Sequence, residues 1–371
     1  MVVSLKVPFI DLTAQYPQVK SKIWTALQDI FESQQFVLKK YGAGLEEAVM
    51  KDLPAKYAVG LNSGTDALLL SLMAAGIGRG HEVITTPFTF FATAASVVRV
   101  GAVPVFVDVE PGTYNIDWRK IEAKITAKTK AIIPVHLFGL MCDMKPILEI
   151  AKRHSLIVIE DIAQAYGASY NGHRAGSMGD IACLSFFPTK NLGGAGDGGM
   201  VATNSQELYK KIKVLRVHGA KENEKYLHEV VGINSRLDEI QAAVVHAKLP
   251  FLDAWNKKRM FHAAVYNEAF IDLPLESPVS PKGHEHIFHL YTLRSKKRDA
   301  LMHALAENGV GAGIYYPLPL HLQPCFRELG YHKGDLPTAE MLADEVLSLP
   351  MYAELTDDQI GFVIESVRNF F

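Results

Sequence analysis

The chain has 371 residues, 49% of them hydrophobic, enough for one large core plus a smaller second unit and far too apolar for intrinsic disorder. Its 38 basic and 40 acidic side chains leave a formal net charge of -2, so no broad field exists to draw in nucleic acid or a membrane surface. Three cysteines, Cys142, Cys183 and Cys325, lack CxxC or Cys/His ligand spacing, which argues against a disulfide framework and a metal site and for a reducing cytoplasm.

The opening MVVSLKVPFIDL has no basic stretch followed by an apolar core, so no leader or anchor is expected, and no segment reaches the roughly 18 uninterrupted apolar residues of a membrane span. Short β-branched runs follow at 83–87, 103–109, 131–136, 156–160 and 182–187, alternating with amphipathic stretches at 66–77, 89–100, 143–154 and 205–216. Strands alternating with helices of crossover length predict an α/β fold, with a mostly parallel central sheet covered by helices on both faces. From residue 235 apolar residues recur at helical spacing for a long way, interrupted at Pro250, and such a helix can connect two units. Beyond it HIFHLYTLRS reads as a strand, RDALMHALAENG as a helix with a glycine stop, and TDDQIGFVIESVRNFF as a helix capped by Thr356. The expected partition is a large α/β domain over 1–249, including the N-terminal segment, and a smaller α+β C-terminal domain over 250–371.

The most informative segment is SFFPTKNLGGAGDGG, residues 185–199, in which Lys190 follows an apolar strand and precedes a glycine-rich turn. An amine held there can project into a crevice, and a buried amine with a lowered pKa can attack an aldehyde such as that of pyridoxal phosphate (PLP). The same run matches GxGxxG at Gly194, Gly196 and Gly199, but Met200-Val-Ala-Thr continues as a strand where a dinucleotide site needs a helix. Asp161 stands at the carboxyl end of LIVIE, where ligands bind in open α/β sheets, and a carboxylate there can keep a PLP ring nitrogen protonated. It is equally suited to cap a helix. Gln164 is placed to reach the ring's phenolic oxygen. In NSGTDAL, Gly64 and Thr65 open an amphipathic helix whose free amides suit a phosphate. Phe90, in PFTFFAT, can stack on a pyridine face. His136, near a strand end, reads as a structural histidine.

Together these segments resemble the DegT/DnrJ/StrS family of PLP-dependent sugar aminotransferases, within the fold-type-I aminotransferase superfamily. The resemblance runs through PFIDLTAQY, NSGTDAL, TTPFTFFAT, PVHLFG, EDIAQAYGA, SFFPTKNLGGAGDGG, GINSRLDEIQAA and YYPLPLHLQP. It implies Lys190 as the Schiff-base lysine and proton carrier, with Asp161 on the pyridinium, Gln164 near the phenolic oxygen and Phe90 on the ring. It further implies phosphate contacts from Gly64, Thr65 and Ser185, and from Asn234 of a neighbouring subunit, hence a homodimer with shared sites. Tyr316 and His321 would contact the sugar or nucleotide. The implied reaction moves an amino group from an amino acid, by resemblance glutamate, to a nucleotide-linked keto sugar, with the YPLPLHLQP and RLDEIQAA segments closer to relatives acting at the third carbon than at the fourth. Lysine at 190 separates the chain from dehydratase relatives, which carry histidine there. Tyr166 departs from the histidine of many relatives. A PLP-binding regulator without turnover is the alternative in a different functional class.

Overall fold

The computed structural model describes residues 5–221 and 224–371, so the first four residues of the opening stretch lie outside the described residues. Seven strands form the central sheet: β1 Tyr57–Leu61, β2 Glu82–Thr85, β3 Val103–Phe106, β4 Thr129–Ile133, β5 Ile157–Asp161, β6 Ile181–Ser185 and β7 Gly199–Thr203, in spatial order β1-β7-β6-β5-β4-β2-β3. From β3 to β6 neighbouring strands are parallel, whereas β7 runs antiparallel to both β6 and β1. These strands read as near-continuous apolar runs because both faces are covered. One face packs on α2 (Lys40–Asp52), α5 (Met144–His154) and α7 (Glu239–Lys248), the other on α3 (Gly64–Ala74), α4 (Ala92–Arg99) and α6 (Gln206–Leu215). Helix α1 (Tyr16–Ser33) lies on α7 through Val19, Ile23 and Val244.

The apolar stretch after residue 235 becomes two helices, α7 and α8 (Leu252–Ala269), joined by a 3-10 turn at Leu249–Phe251. Proline at 250 removes an amide that a continuous helix would need. Helix α8 then supplies Ala263 and Tyr266 to a second core built on the antiparallel pair β8 (Tyr291–Arg294) and β9 (Val346–Leu349). Helices α9 (Arg298–Glu307) and α11 (Asp357–Phe370) complete that core, with α10 (Pro337–Glu345) between β9 and the large unit. Val7 also belongs to it, through a bridge to Val310. The expected strand HIFHLYTLRS is extended and paired only over Tyr291–Arg294, and Thr356 caps α11 with a full capping box to Gln359.

The sheet's polarity builds one edge. Because β1 runs with β6, the residues following β1, β2, β5 and β6 emerge on the same side, and the N-terminal end of β7 joins them. Among the described residues no helix is long and apolar enough to cross a membrane.

Candidate functional site

A cavity of about 650 Å³ opens along this edge, between the strand ends and the loop carrying Tyr315 and Tyr316. Of the residues singled out from sequence, it brings together Gly64, Thr65, Phe90, Asp161, Gln164, Ser185, Lys190 and Tyr316.

Two residues of adjacent registers at the end of β5 show how the strand sorts its carboxylates. Successive side chains alternate across a sheet. Asp161 therefore faces the cavity, while Glu160 points to the opposite face and is fully buried. Glu160 accepts from the amides of Gly176 and Met178 at 2.8 Å each and pairs with His136 Nε2 at 2.9 Å. His136 Nδ1 accepts from the Cys142 amide, so Nε2 carries the hydrogen. The structural reading of His136 holds, and it does not line the cavity.

Asp161 is 5% exposed, and burial pushes its carboxyl above the ordinary value. The Ala163 amide donates to Oδ1 at 3.2 Å, the Thr93 hydroxyl to Oδ2 at 2.9 Å, and the Lys190 charge acts in the same direction. All three favour the ionised form and oppose burial. Asp161 thus caps a turn, though no α-helix begins there.

Lys190 follows β6 on a short turn whose amide bonds back to the Phe187 carbonyl. The residue is half-buried and lines the cavity. Burial lowers its amine from 10.5 to about 8, and Asp161 moderates the drop by favouring the cation. At neutral pH an appreciable fraction of the amine is therefore unprotonated and nucleophilic.

Ser63 caps α3 by accepting from the Asp66 amide at 3.1 Å, which leaves the amides of Gly64 and Thr65 in the first turn without helical partners. Ser185 packs directly on this turn: a Cβ at Gly64 would stand 2.7 Å from Ser185 Cβ. At Gly199 a Cβ would stand 2.3 Å from the Ser63 carbonyl carbon. Glycine at both positions lets β7 and the α3 turn close into a cradle of amides and a hydroxyl, and the helix dipole adds attraction for a phosphate.

On the other wall, Gln164 Oε1 accepts from the Phe138 amide at 2.9 Å, which fixes its Nε2 as the donor to Tyr316 Oη at 3.0 Å. Tyr316 consequently keeps its own hydroxyl hydrogen free for the cavity. Phe90 is 56% exposed and tilts against Tyr316 at 6.4 Å between ring centroids. A cationic heterocycle bearing an aldehyde and a phosphate meets its requirements here: an amine, a buried carboxylate, an amide cradle and an aromatic wall. The donor set fits PLP.

Two expected contacts are not in the cavity. His321 is 1% exposed, with Nε2 on Glu340 at 3.0 Å and Nδ1 without a partner, so it serves the packing of α10 rather than the cavity. His321, expected as a substrate contact, is thus not among the residues that line this cavity, whereas Leu320 and Gln323, on either side, are. Asn234 is exposed and bridges to Val217, away from the cavity of its own chain. Tyr166 is buried in the large core with its hydroxyl beside Asp52, so this departure from the family pattern does not reach the cavity wall. Sequence reasoning passed over Thr93, Tyr315, Asp197 and His289, all of which line the cavity. Thr93 sits in the quoted PFTFFAT segment, and its position near the α4 start was a usable signal. His289, in a run with three other ring-bearing residues, gave none.

Comparison with known proteins agrees with this geometry. The family model described as the DegT/DnrJ/EryC1/StrS aminotransferase family matches residues 17–368. A Geobacillus stearothermophilus protein named "Pleiotropic regulatory protein" is 52% identical, covering 99% of each chain. The UDP-N-acetyl-3-dehydro-alpha-D-glucosamine 3-aminotransferase of Acidithiobacillus ferrooxidans is 47% identical over 98% of this chain and 97% of its own. The crystal structure of S. venezuelae DesV in complex with a ketimine intermediate superposes with a TM-score of 0.95 at 40% identity, covering 98% of each chain. The chain belongs to the DegT/DnrJ/EryC1/StrS aminotransferase family.

Proposed function

We propose that the protein is a PLP-dependent aminotransferase that moves an amino group from an amino acid, glutamate in our reading, onto the third carbon of a nucleotide-linked keto sugar. The observation that carries this reading is the Lys190 amine, lowered to about 8 by burial and set against the buried carboxylate of Asp161 in one cavity. PLP, when bound, supplies the aldehyde that Lys190 attacks and a ring that withdraws electrons from the reacting carbon.

The chain's own residues divide the rest of the work. Lys190 would hold the cofactor and, with its amine free, would move a proton at the reacting carbon, a role worth roughly a hundred- to ten-thousand-fold in rate. Asp161, oriented by Thr93 and Ala163, keeps the ring nitrogen protonated. The amides of Gly64 and Thr65 and the Ser185 hydroxyl hold the phosphate, Phe90 covers the ring, and Gln164 and Tyr316 face the phenolic oxygen and the sugar. Asn234 reaches the phosphate of a second copy, so the working unit is a homodimer. The 47% identical relative named as a sugar 3-aminotransferase supports the third carbon over the fourth. The compartment we propose is the cytoplasm.

Replacing Lys190 with Ala and following cofactor absorbance with and without glutamate tests the assignment. Loss of turnover is expected, and a variant that still turns over many times overturns it. One relative's name favours a second reading, a PLP-binding regulator that transfers nothing. Glutamate separates the two, because a pure regulator would not accumulate pyridoxamine phosphate.

A further inference from the structure

We propose, resting on the sugar-aminotransferase reading of this cavity, that Phe9 is a positioning residue for the nucleotide-linked sugar: from one ring behind the cavity wall it holds Tyr315, and through it Tyr316, where the sugar meets them. Phe9 does not itself line the cavity, whereas Tyr315 and Tyr316 both do.

The loop that carries the two tyrosines is fixed at its ends by backbone hydrogen bonds to different units. Gly313 exchanges bonds with Ser348 of β9 at 3.0 and 2.7 Å, on the smaller unit, and the Leu320 amide donates to the Pro87 carbonyl at 2.7 Å, on the larger one. Between these anchors side chains locate the rings. Tyr316 is met by Gln164 and by the rings of Phe88 and Phe90. Tyr315 stacks on Phe9 at 5.7 Å between centroids and 18° between planes, and meets Tyr316 edge to face at 5.8 Å. The three rings therefore form one run from Phe9 to the cavity, with separations at which aromatic pairs attract.

Phe9 can hold Tyr315 because it is itself pinned on both sides. The Val7 amide donates to the Gly309 carbonyl at 3.0 Å and the Gly311 amide to the Val7 carbonyl at 2.8 Å, which zips this segment onto the smaller unit. Glycine permits the close approach: a Cβ at Gly311 would stand 2.5 Å from the Phe9 nitrogen, and one at Gly313 2.9 Å from Tyr315 Cε2 and 3.5 Å from Phe9 Cζ. On the other side Asp11 accepts from the Thr13 amide at 2.8 Å and its hydroxyl at 2.6 Å, a turn that leads into α1 on the larger unit. The stretch between is thus a strap across the two units, and Ile10, next to Phe9, lines the cavity.

The cofactor's side of the cavity has its own supports. Gln164 is oriented by the Phe138 amide at 2.9 Å, and Asp161 by Thr93 and Ala163, all on the larger unit. Losing the Phe9 stack should therefore loosen the loop that meets the sugar and spare the glutamate half-reaction. Phe9→Leu keeps an apolar side chain and removes the flat face. With a UDP- or dTDP-linked 3-keto sugar as the probe, the variant's KM for that sugar should rise about three- to tenfold, because a wall that is in place only part of the time lowers apparent affinity in proportion. Neither kcat nor the single-turnover rate with glutamate should move. Phe9→Tyr, which keeps the face, should restore the KM. In a Tyr315→Leu background Phe9→Leu should add no further loss, since the partner of the stack is gone.

The second readout needs neither cofactor nor sugar. Tetranitromethane nitrates accessible phenols, and peptide mapping by mass spectrometry reports each tyrosine separately. Tyr315 and Tyr316 are half-buried, and burial pushes the Tyr316 phenol above its ordinary value, so both should react slowly in the unaltered protein. Phe9→Leu should nitrate the pair about three- to tenfold faster, and Phe9→Tyr at the unaltered rate. Unaltered nitration in Phe9→Leu, an unchanged KM, an equal loss in the glutamate half-reaction, or the full loss repeated in the Tyr315→Leu background each overturns the proposal. A protein that transfers no amino group to either sugar defeats the functional reading instead, and the nitration rates still judge the role of Phe9.

Discussion

Thr93→Val isolates the electrostatics of Asp161. The hydroxyl donates to Oδ2 at 2.9 Å, both residues are buried, and valine keeps the shape while deleting the donor. The carboxylate would retain only the Ala163 amide as a protein hydrogen-bond donor. A hydrogen bond to a charged group contributes ~1.5–3 kcal/mol, so the balance between ionised and protonated Asp161 should move about ten- to a hundredfold toward the protonated acid. Burial already pushes this carboxyl upward, and the loss acts in the same direction. Because an ionised Asp161 is what would hold the cofactor's ring nitrogen in its protonated form, the acid limb of the glutamate half-reaction should move to higher pH, with the plateau above it retained. Single-turnover rates measured across pH give the limb, and Thr93→Ser should move it back. An unchanged limb in folded Thr93→Val protein would refute the role assigned to Asp161.

Burial of Lys190 has a cost in the cofactor-free chain. The folded-state value of about 8 lies below the unfolded value of 10.5, so the folded chain binds fewer protons between those limits and stability rises with pH there. Lys190→Met should consequently stabilise the cofactor-free protein by up to ~3 kcal/mol below pH 8, an advantage that fades by pH 10.5; denaturant melts at pH 7 and 10 check it. Gly64→Ala would drive a Cβ to 2.7 Å from Ser185 Cβ, and overpacking of ~1–3 kcal/mol should weaken PLP binding about five- to a hundredfold, read by titration of cofactor absorbance. His321→Ala should lower stability by ~2–4 kcal/mol, by leaving a cavity and stripping Glu340 of a partner, while the KM for the sugar nucleotide stays within twofold.

The parallel half of the sheet was readable because strands buried on both faces are continuous apolar runs, and β2 to β6 fall within a few residues of the expected positions. Strand β1 escaped notice: YAVGL is short and carries Gly60, which is kept small by Leu237 at 3.1 Å from its would-be Cβ. Lys190, Asp161 and the Gly64 turn were legible since each stands at a strand end beside a local signal, a glycine run or a helix start. His321 and His289 look alike in sequence, each a histidine among apolar neighbours. Only the fold shows that one bonds Glu340 while the other, tied to Asn191 and Asn256 from distant segments, faces the cavity.

Reduction of the purified protein with borohydride after reconstitution with PLP, followed by peptide mapping, tests the central claim most directly. The account predicts the added mass of a reduced cofactor on the peptide containing Lys190, and on no other lysine. A cofactor that attaches elsewhere, or an unmodified Lys190 in protein saturated with PLP, would contradict it.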